Sequence, residues 1–301
     1  MKRILLLAAL IIICAAAFAQ TTPAPKDTTK KDTIWWIHGQ NTVLINESSF
    51  SNWAAGGVNS VALNLVFDYD FDYKKGNWSW DNKAIVGYGL SKQSGIGWRK
   101  NDDRLILNSL LGYKAAQYWL YTFYGNFQTQ FTNGYSYDAN NNRTLISGAF
   151  APAYLTFGPG FAYKKNDNLR VNISPFAARI TFVHNDSLSN IGAFGVTPGK
   201  ENLFEFGSSL DAYYKVAIAK NVTLENALKL YENYLKNQGN VYADYALNLY
   251  MKVNKTITVN AGVEIINDPN AQIAETVNGV TSSHSLLQVK QIFGAGFTYK
   301  F

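Results

Sequence analysis

From Val61 to Tyr73 every second residue is apolar or aromatic: Val61, Leu63, Leu65, Phe67, Tyr69, Phe71 and Tyr73. The residues between them are Ala62, Asn64, Val66, Asp68, Asp70 and Asp72. A repeat of two belongs to a strand with one apolar and one polar face. It resumes with Trp78, Trp80, Ala84, Val86, Tyr88 and Leu90 against Ser79, Asp81, Lys83, Gly87 and Gly89. The same pattern predicts strands at about 104–117, 119–135, 153–165, 168–184, 201–216, 221–236, 239–254, 255–267 and 286–301, and a weaker one near 40–50. The total is about twelve, an even number that suits a barrel with both termini on one side.

Hydrophobic residues make up 47% of the chain, yet after the first twenty residues charges break every apolar run well before the length a membrane helix needs. An all-β soluble protein and a membrane barrel remain. A closed barrel is the strand-built structure that satisfies its whole backbone in lipid. Connection lengths favour the barrel. Those around 74–77, 118, 165–167, 217–220 and 254–255 are short. Those around 51–58, 92–103, 136–152, 185–200 and 268–285 are long, and only 235–240 is ambiguous. Short turns on one side and long loops on the other mark an outer-membrane barrel. Tyr73, Trp78, Trp80, Tyr118, Trp119, Tyr121, Tyr163, Tyr214, Tyr299 and Phe301 bunch beside the short turns, as a headgroup-level girdle should.

The ends carry addresses. Lys2 and Arg3 precede an apolar stretch, Ile4 to Ile13, and Ala17-Phe18-Ala19 offers a small-x-small site, so cleavage is expected between Ala19 and Gln20. Lipoprotein processing at Cys14 asks for a small residue before the cysteine, and Ile13 is not small. Residues 1–19 are therefore read as a signal peptide, 20–33 as a flexible Pro/Thr-rich periplasmic lead, and 34–301 as the barrel. Cys14 is the one cysteine, so no disulfide is expected in the exported chain. The net charge of +6 falls to +4 without Lys2 and Arg3, and its even spread gives no nucleic-acid footprint. The chain closes on Phe297, Tyr299 and Phe301, one aromatic face that resembles the insertion signal of bacterial outer-membrane barrels and implies recognition by the barrel-assembly machinery.

Trp53-Ala-Ala-Gly56-Gly57-Val-Asn59-Ser60 resembles the hallmark of an uncharacterised outer-membrane barrel family, a domain of unknown function. Thr129 to Tyr135, Ile146-Ser147, Ala151 to Tyr154, Ile173 to Phe176, Phe194 to Val196 and Gly294 to Phe301 also fit it. The resemblance spans the chain from about Trp35 and implies an outer-membrane barrel without an assigned activity or catalytic residue. Physically, Gly56-Gly57 permits a tight connection, and Pro175 marks a bulge where the outward face passes from Val171 and Ile173 to Phe176, Ala178, Ile180 and Phe182.

The expected fold is thus an all-β, transmembrane, antiparallel up-and-down barrel in the outer membrane of a Gram-negative cell, termini in the periplasm. The polar faces place Asp68, Asp70, Asp72, Tyr124, Asn126, Gln128, Asp244, Asn248, Tyr250 and Glu264 in the lumen. Tyr124, Tyr231, Tyr242 and Tyr250 are the rings expected to constrict it, and Ile34 to Ile37 either folds back into the mouth or packs on the rim. No cofactor, metal or helical membrane partner is implied. Asp68, Asp70 and Asp72 read as solvated lumen residues matched by Lys83, Lys114, Lys164 and Lys215 rather than an ion site. His38, His184 and His284 lie far apart. His184 near Ser187, and His284 between Ser283 and Ser285, are the only hints of an outer-membrane phospholipase-like hydrolase, and spacing supplies no orienting third group. Asp-Ser/Thr-apolar triplets, chiefly Asp32-Thr33-Ile34, resemble a periplasmic O-glycosylation acceptor. The expected function is non-enzymatic: a narrow pore or transporter for small solutes, with a structural or partner-binding barrel as the alternative.

Overall fold

Alternation at this length has one stable outcome in lipid, a sheet that pairs every strand on both sides. The computed structural model describes residues 34–49, 59–138, 140–236, 239–271, 273–277, 280–285 and 287–301, with backbone alone for 273–277 and 280–284. The expected signal peptide, the Ala19–Gln20 site, the lead with Thr33, the segment Trp53 to Val58 and the side chain of His284 lie outside the described residues.

Twelve antiparallel strands close into a barrel: β1 (Trp35–Ser48), β2 (Ser60–Lys75), β3 (Trp78–Gln93), β4 (Arg99–Lys114), β5 (Trp119–Thr129), β8 (Ala153–Asn166), β9 (Leu169–Phe182), β10 (Asn202–Ala219), β11 (Val222–Asn233), β12 (Val241–Lys252), β13 (Ile257–Asn267) and β16 (Gln288–Lys300). Two hairpins, β6 (Gly134–Tyr137) with β7 (Arg143–Ser147) and β14 (Ile273–Val277) with β15 (Val280–His284), stand in the connections outside it. Successive barrel strands are neighbours, and β16 returns to β1.

One end carries the connections 76–77, 115–118, 167–168, 220–221 and 253–256, together with Trp35 and Phe301. The opposite end carries the longer ones, and 234–240 is among them. Two expectations need correction. The connection expected at 92–103 shrinks to 94–98, because β3 and β4 continue pairing past a register shift beside Gly89. Ile37 and the two tryptophans before it do not enter the mouth; they stand at the rim, where Trp35 packs on Tyr73 and Trp80, as part of the wall itself. Trp35, Trp36 and Ile37 are rungs of β1, opposite Tyr73, Asp72 and Phe71.

Aromatic side chains ring the short-turn end in contact: Trp35 with Tyr73 at 5.1 Å and Trp80 at 5.9 Å, Trp78 with Tyr113 at 5.0 Å, Trp119 with Tyr163 at 5.4 Å, and Tyr121 with Phe161 at 5.8 Å between ring centres. An apolar exterior with such a belt identifies the barrel as one that sits in an outer membrane.

At Pro175 the ladder slips as the alternation requires. Ser174 pairs with Ser209 and Ala177 with Gly207, so β9 carries one extra residue. The slip moves Phe176 outward, where it is 62% exposed, and turns Arg179 inward, where it is 3% exposed. At the long-loop end, Ala151, Val183, Leu188 and Val196 form a small buried core. The chain from 183 to 201 folds onto that core through the turn Asp186–Ser189, whose cap is the Asn185 side chain accepting from the Leu188 amide. Thr129 Oγ1 donates to the Pro152 carbonyl and Gln130 Nε2 to that of Gly148. Several of the segments that carry the family resemblance therefore meet here, as the parts of one cap.

The register makes a direct prediction. Leu249 pairs with Leu224 and Ala261 on the lipid face, while its neighbour Asn248 lines the interior. Leu249→Arg should cost about 2–4 kcal/mol at midplane depth, read as loss of the heat-modifiable folded band on gels. Asn248→Arg should leave most of that band. Equal losses would mean that the register is shifted by one residue.

Candidate lumen site

Inward positions on a barrel strand cannot reach lipid, so they can hold charge where the outward ones cannot. From the short-turn end the interior opens as a cavity of about 460 Å³, which adjoins a central one of about 220 Å³. Asp68, Lys83, Arg170, Tyr213 and Tyr250 line both. Asp70 and Asp72 face the outer cavity, Asp244, Asn248 and Glu264 face the central one, and Tyr124 reaches the outer cavity from deeper in the barrel. Asn126 and Gln128 lie beyond, beside Tyr124, around a space of about 30 Å³.

The interior charges are paired, mostly between neighbouring strands. Lys83 Nζ lies 2.6 Å from Asp68 and 3.3 Å from Asp70, Lys164 is 2.6 Å from Asp81, and Lys215 is 2.7 Å from Glu225. Deeper in, Arg170 bonds Asp211 at 3.0 Å, and Lys290 reaches Asp102 at 2.6 Å. Asp68 and Asp70 of β2 thus pair with Lys83, whereas Lys164 and Lys215, expected to match the β2 aspartates, pair with Asp81 and Glu225. Among the described residues no cluster of His, Cys, Asp and Glu has the geometry to hold a metal ion.

Toward the long-loop end the lumen narrows around Arg179. Its guanidinium lies 3.9 Å from both Glu205 and Asp268, and over the rings of Tyr242, Tyr154 and Tyr231 at 4.2, 4.9 and 5.5 Å. Arg179, Glu205 and Asp268 are all buried. The spaces beside this layer measure about 30 and 40 Å³, room for a water molecule or two and too little for a solute. Asn270 seals it from above: its backbone amide donates to Asp268 and its side chain to Glu205, and it packs against Gly195. A Cβ at Gly195 would stand 2.9 Å from that of Asn270, and φ there is +81°, so only glycine fits.

The constriction is therefore built from Tyr231 and Tyr242 together with Tyr154 and Arg179. Tyr250 stands in the wall of the wide part, and Tyr124 is buried with its hydroxyl 3.4 Å from Asp211. Arg179 and Glu205 were legible in principle: the slip at Pro175 sets the phase of Arg179, and Glu205 alternates with Phe204 and Phe206. Asp268 was not, because it follows the last residue of β13 and no periodicity governs it. At the rim, His184 contacts Glu201 at 3.9 Å and the Phe182 ring at 5.8 Å.

Removing one partner from a buried charge cluster strands the others. Arg179→Ala should lower stability by about 3–5 kcal/mol in urea titrations of the barrel in detergent. Combining Arg179→Met with Glu205→Gln and Asp268→Asn should recover most of it, because no charge is then left alone.

Among curated proteins no relative matches the chain. Solved structures similar to it include three outer-membrane proteins. The NanC porin is 10% identical, with 87% of this chain and 99% of that one covered and a TM-score of 0.37. An outer membrane channel from Pseudomonas putida F1 is 8% identical, covered at 93% and 100%, with a TM-score of 0.38. The translocator domain of the autotransporter NalP from Neisseria meningitidis is 11% identical, covered at 91% and 90%, with a TM-score of 0.32. Residues 45–135 match the family described as "Protein of unknown function (DUF3078)".

Proposed function

We propose that the protein is a passage for small solutes, with a water-filled chamber open at the short-turn end and a constriction at Arg179. The carrying observation is the adjoining pair of cavities, about 460 and 220 Å³, lined by charged and amide side chains. Such a lining holds water and the polar part of a solute. The connection lengths support a periplasmic short-turn end with both termini there, and the closing aromatic strand supports insertion by the barrel-assembly machinery into outer-membrane lipid. The Arg179 layer makes the conducting state small or gated.

A second reading has its own observation. The long-loop mouth is covered by a folded cap packed on Val183, Leu188 and Val196, a surface suited to binding a partner rather than passing a solute. A hydrolase draws less support, since the contacts of His184 are with Glu201 and Phe182.

Planar-bilayer conductance of the purified protein separates these readings. Wild type should pass a small current, Tyr231→Ala with Tyr242→Ala should raise it, and Tyr124→Ala with Tyr250→Ala should change it less. A wild-type current comparable to that of a general porin would overturn the constriction. Silence from wild type and from the Tyr231/Tyr242 variant alike would favour the partner-binding reading. For orientation, a tag inserted near Asn141 should be labelled on intact cells and one near Gly76 should not, and the reverse pattern would invert the topology.

A further inference from the structure

The lumen is crossed twice at its long-loop end, and the second crossing is lighter than the Arg179 layer. Arg179 on β9 reaches Asp268 at the end of β13, four places away around the ring of strands. Lys290 on β16 reaches Asp102 on β4, also four places away, with β1, β2 and β3 between them. A contact between strands so far apart runs through the interior rather than along the wall. Among the described residues, no position of β1, β2, β4, β13 or β16 nearer the long loops than Leu44, Asn64, Asp102, Glu264 and Lys290 lines the central chamber. The Lys290–Asp102 pair therefore marks the end of the chamber on that side.

The two crossings differ in how firmly they are held. Arg179 is buried against two carboxylates and three rings. Lys290 is held by Asp102 at 2.6 Å and by its β13 neighbour Glu264 at 3.9 Å, and 34% of its side chain stays exposed. An ammonium on a flexible four-carbon stem can swing where a guanidinium clamped among rings cannot. Asp102 has no such freedom. Its side chain is 2% exposed, and its other oxygen lies 3.6 Å from Arg104 Nε. Gly87, opposite Arg104 on β3, leaves room for both: a Cβ there would stand 2.8 Å from Arg104 Nε and 2.9 Å from Asp102 Oδ2. Swinging Lys290 away by itself therefore leaves a buried carboxylate short of its closest partner, which is strongly unfavourable. An anionic solute that draws Lys290 off strands Asp102, and a cationic one that takes Asp102 strands Lys290. A solute carrying both signs replaces each half of the pair as it parts. Elsewhere in the chamber Lys83 pairs with Asp68, Arg170 with Asp211 and Glu225 with Lys215, and Lys229 stands opposite Asp244 on the next strand. The lining thus favours neither a net anion nor a net cation.

We propose that Lys290 is a movable bar across the lumen, and that the transported class is a small zwitterion with a carboxylate and an ammonium on one compact body. The inference rests on the solute-passage reading and names its substrate class. The carboxylate of the solute takes the Lys290 ammonium, and its own ammonium takes Asp102 and Glu264, so the bar swings aside with no charge left alone. The same exchange in reverse releases the solute and resets the bar, which keeps binding weak enough for passage. The Arg179 layer stays in place throughout as the fixed half of the constriction.

The test is osmotic swelling of phospholipid vesicles that carry the full chain in a Cys14→Ser background, with protein-free vesicles as the baseline. The solutes are alanine, a zwitterion, and its uncharged isomer lactamide. Wild type should admit alanine several-fold faster than lactamide. Lys290→Cys should raise both rates and bring them together. Aminoethyl methanethiosulfonate rebuilds a lysine-like ammonium at that position and should restore the wild-type rates, whereas the anionic sulfonatoethyl reagent should not, with mass spectrometry showing each modification. If Lys290→Cys does not give the heat-modifiable barrel, Lys290→Met with Asp102→Asn removes both ends of the bar and should also equalise the rates. Equal entry of the two isomers through wild type overturns the zwitterion class, and a position-290 variant that keeps wild-type rates overturns the bar. Either result leaves the solute passage standing. Restoration by both reagents, or by neither, also overturns the bar, because the ammonium is then not what closes the route. Entry of neither solute above the baseline, through wild type or variant, overturns the solute-passage reading together with this one.

Discussion

Everything in this molecule depends on a backbone ladder that closes on itself. In hydrocarbon an unpaired amide or carbonyl costs several kcal/mol, so a sheet can cross the membrane only if its last strand finds its first. Here that closure is made by β16 against β1, with Phe301 and Gly39 exchanging backbone bonds at the end of the chain. Glycine makes the approach possible. A Cβ on Gly296 would come within 1.8 Å of the Val43 carbonyl oxygen, so any other residue would force the seam apart. The closure is therefore tight where Gly39 meets Phe301.

Closing the barrel sorts the side chains, and the sorting creates the chemistry. Once alternate residues are committed to lipid, the remaining charges must share a confined interior. They do so as ion pairs, between neighbouring strands for Lys83 with Asp68 and between distant ones for Lys290 with Asp102. The Arg179 layer is the extreme case: a guanidinium enclosed by two carboxylates and three tyrosine rings, held by strands β8 to β12 and the end of β13. Breaking up such a cluster exposes buried charge, so it fixes how these strands stand relative to one another as well as how much room they leave.

The loops between strands acquire a physical meaning in this light. Ala151 and Val196, far apart in the chain, share one buried core, and Gly195 lets Asn270 close over the Arg179 layer. These segments read as fragments because a cap is assembled from several loops. The same holds for the site. Tyr231 and Tyr242 were visible as inward rings by phase, and Tyr124 and Tyr250 looked equivalent to them. Phase gives the side of the sheet a residue occupies, not its height along the barrel, and height decides which rings meet Arg179.

The sequence by itself determined the barrel, its strand number, the faces of its strands and the bulge at Pro175, because a two-residue repeat admits one sorting between lipid and lumen. Only the tertiary structure decided where the lumen closes. That depends on shear, the offset at which strands far apart in sequence come to lie side by side. Shear sets Arg179 against Asp268. No local pattern encodes that offset, since it is fixed only when the twelfth strand meets the first.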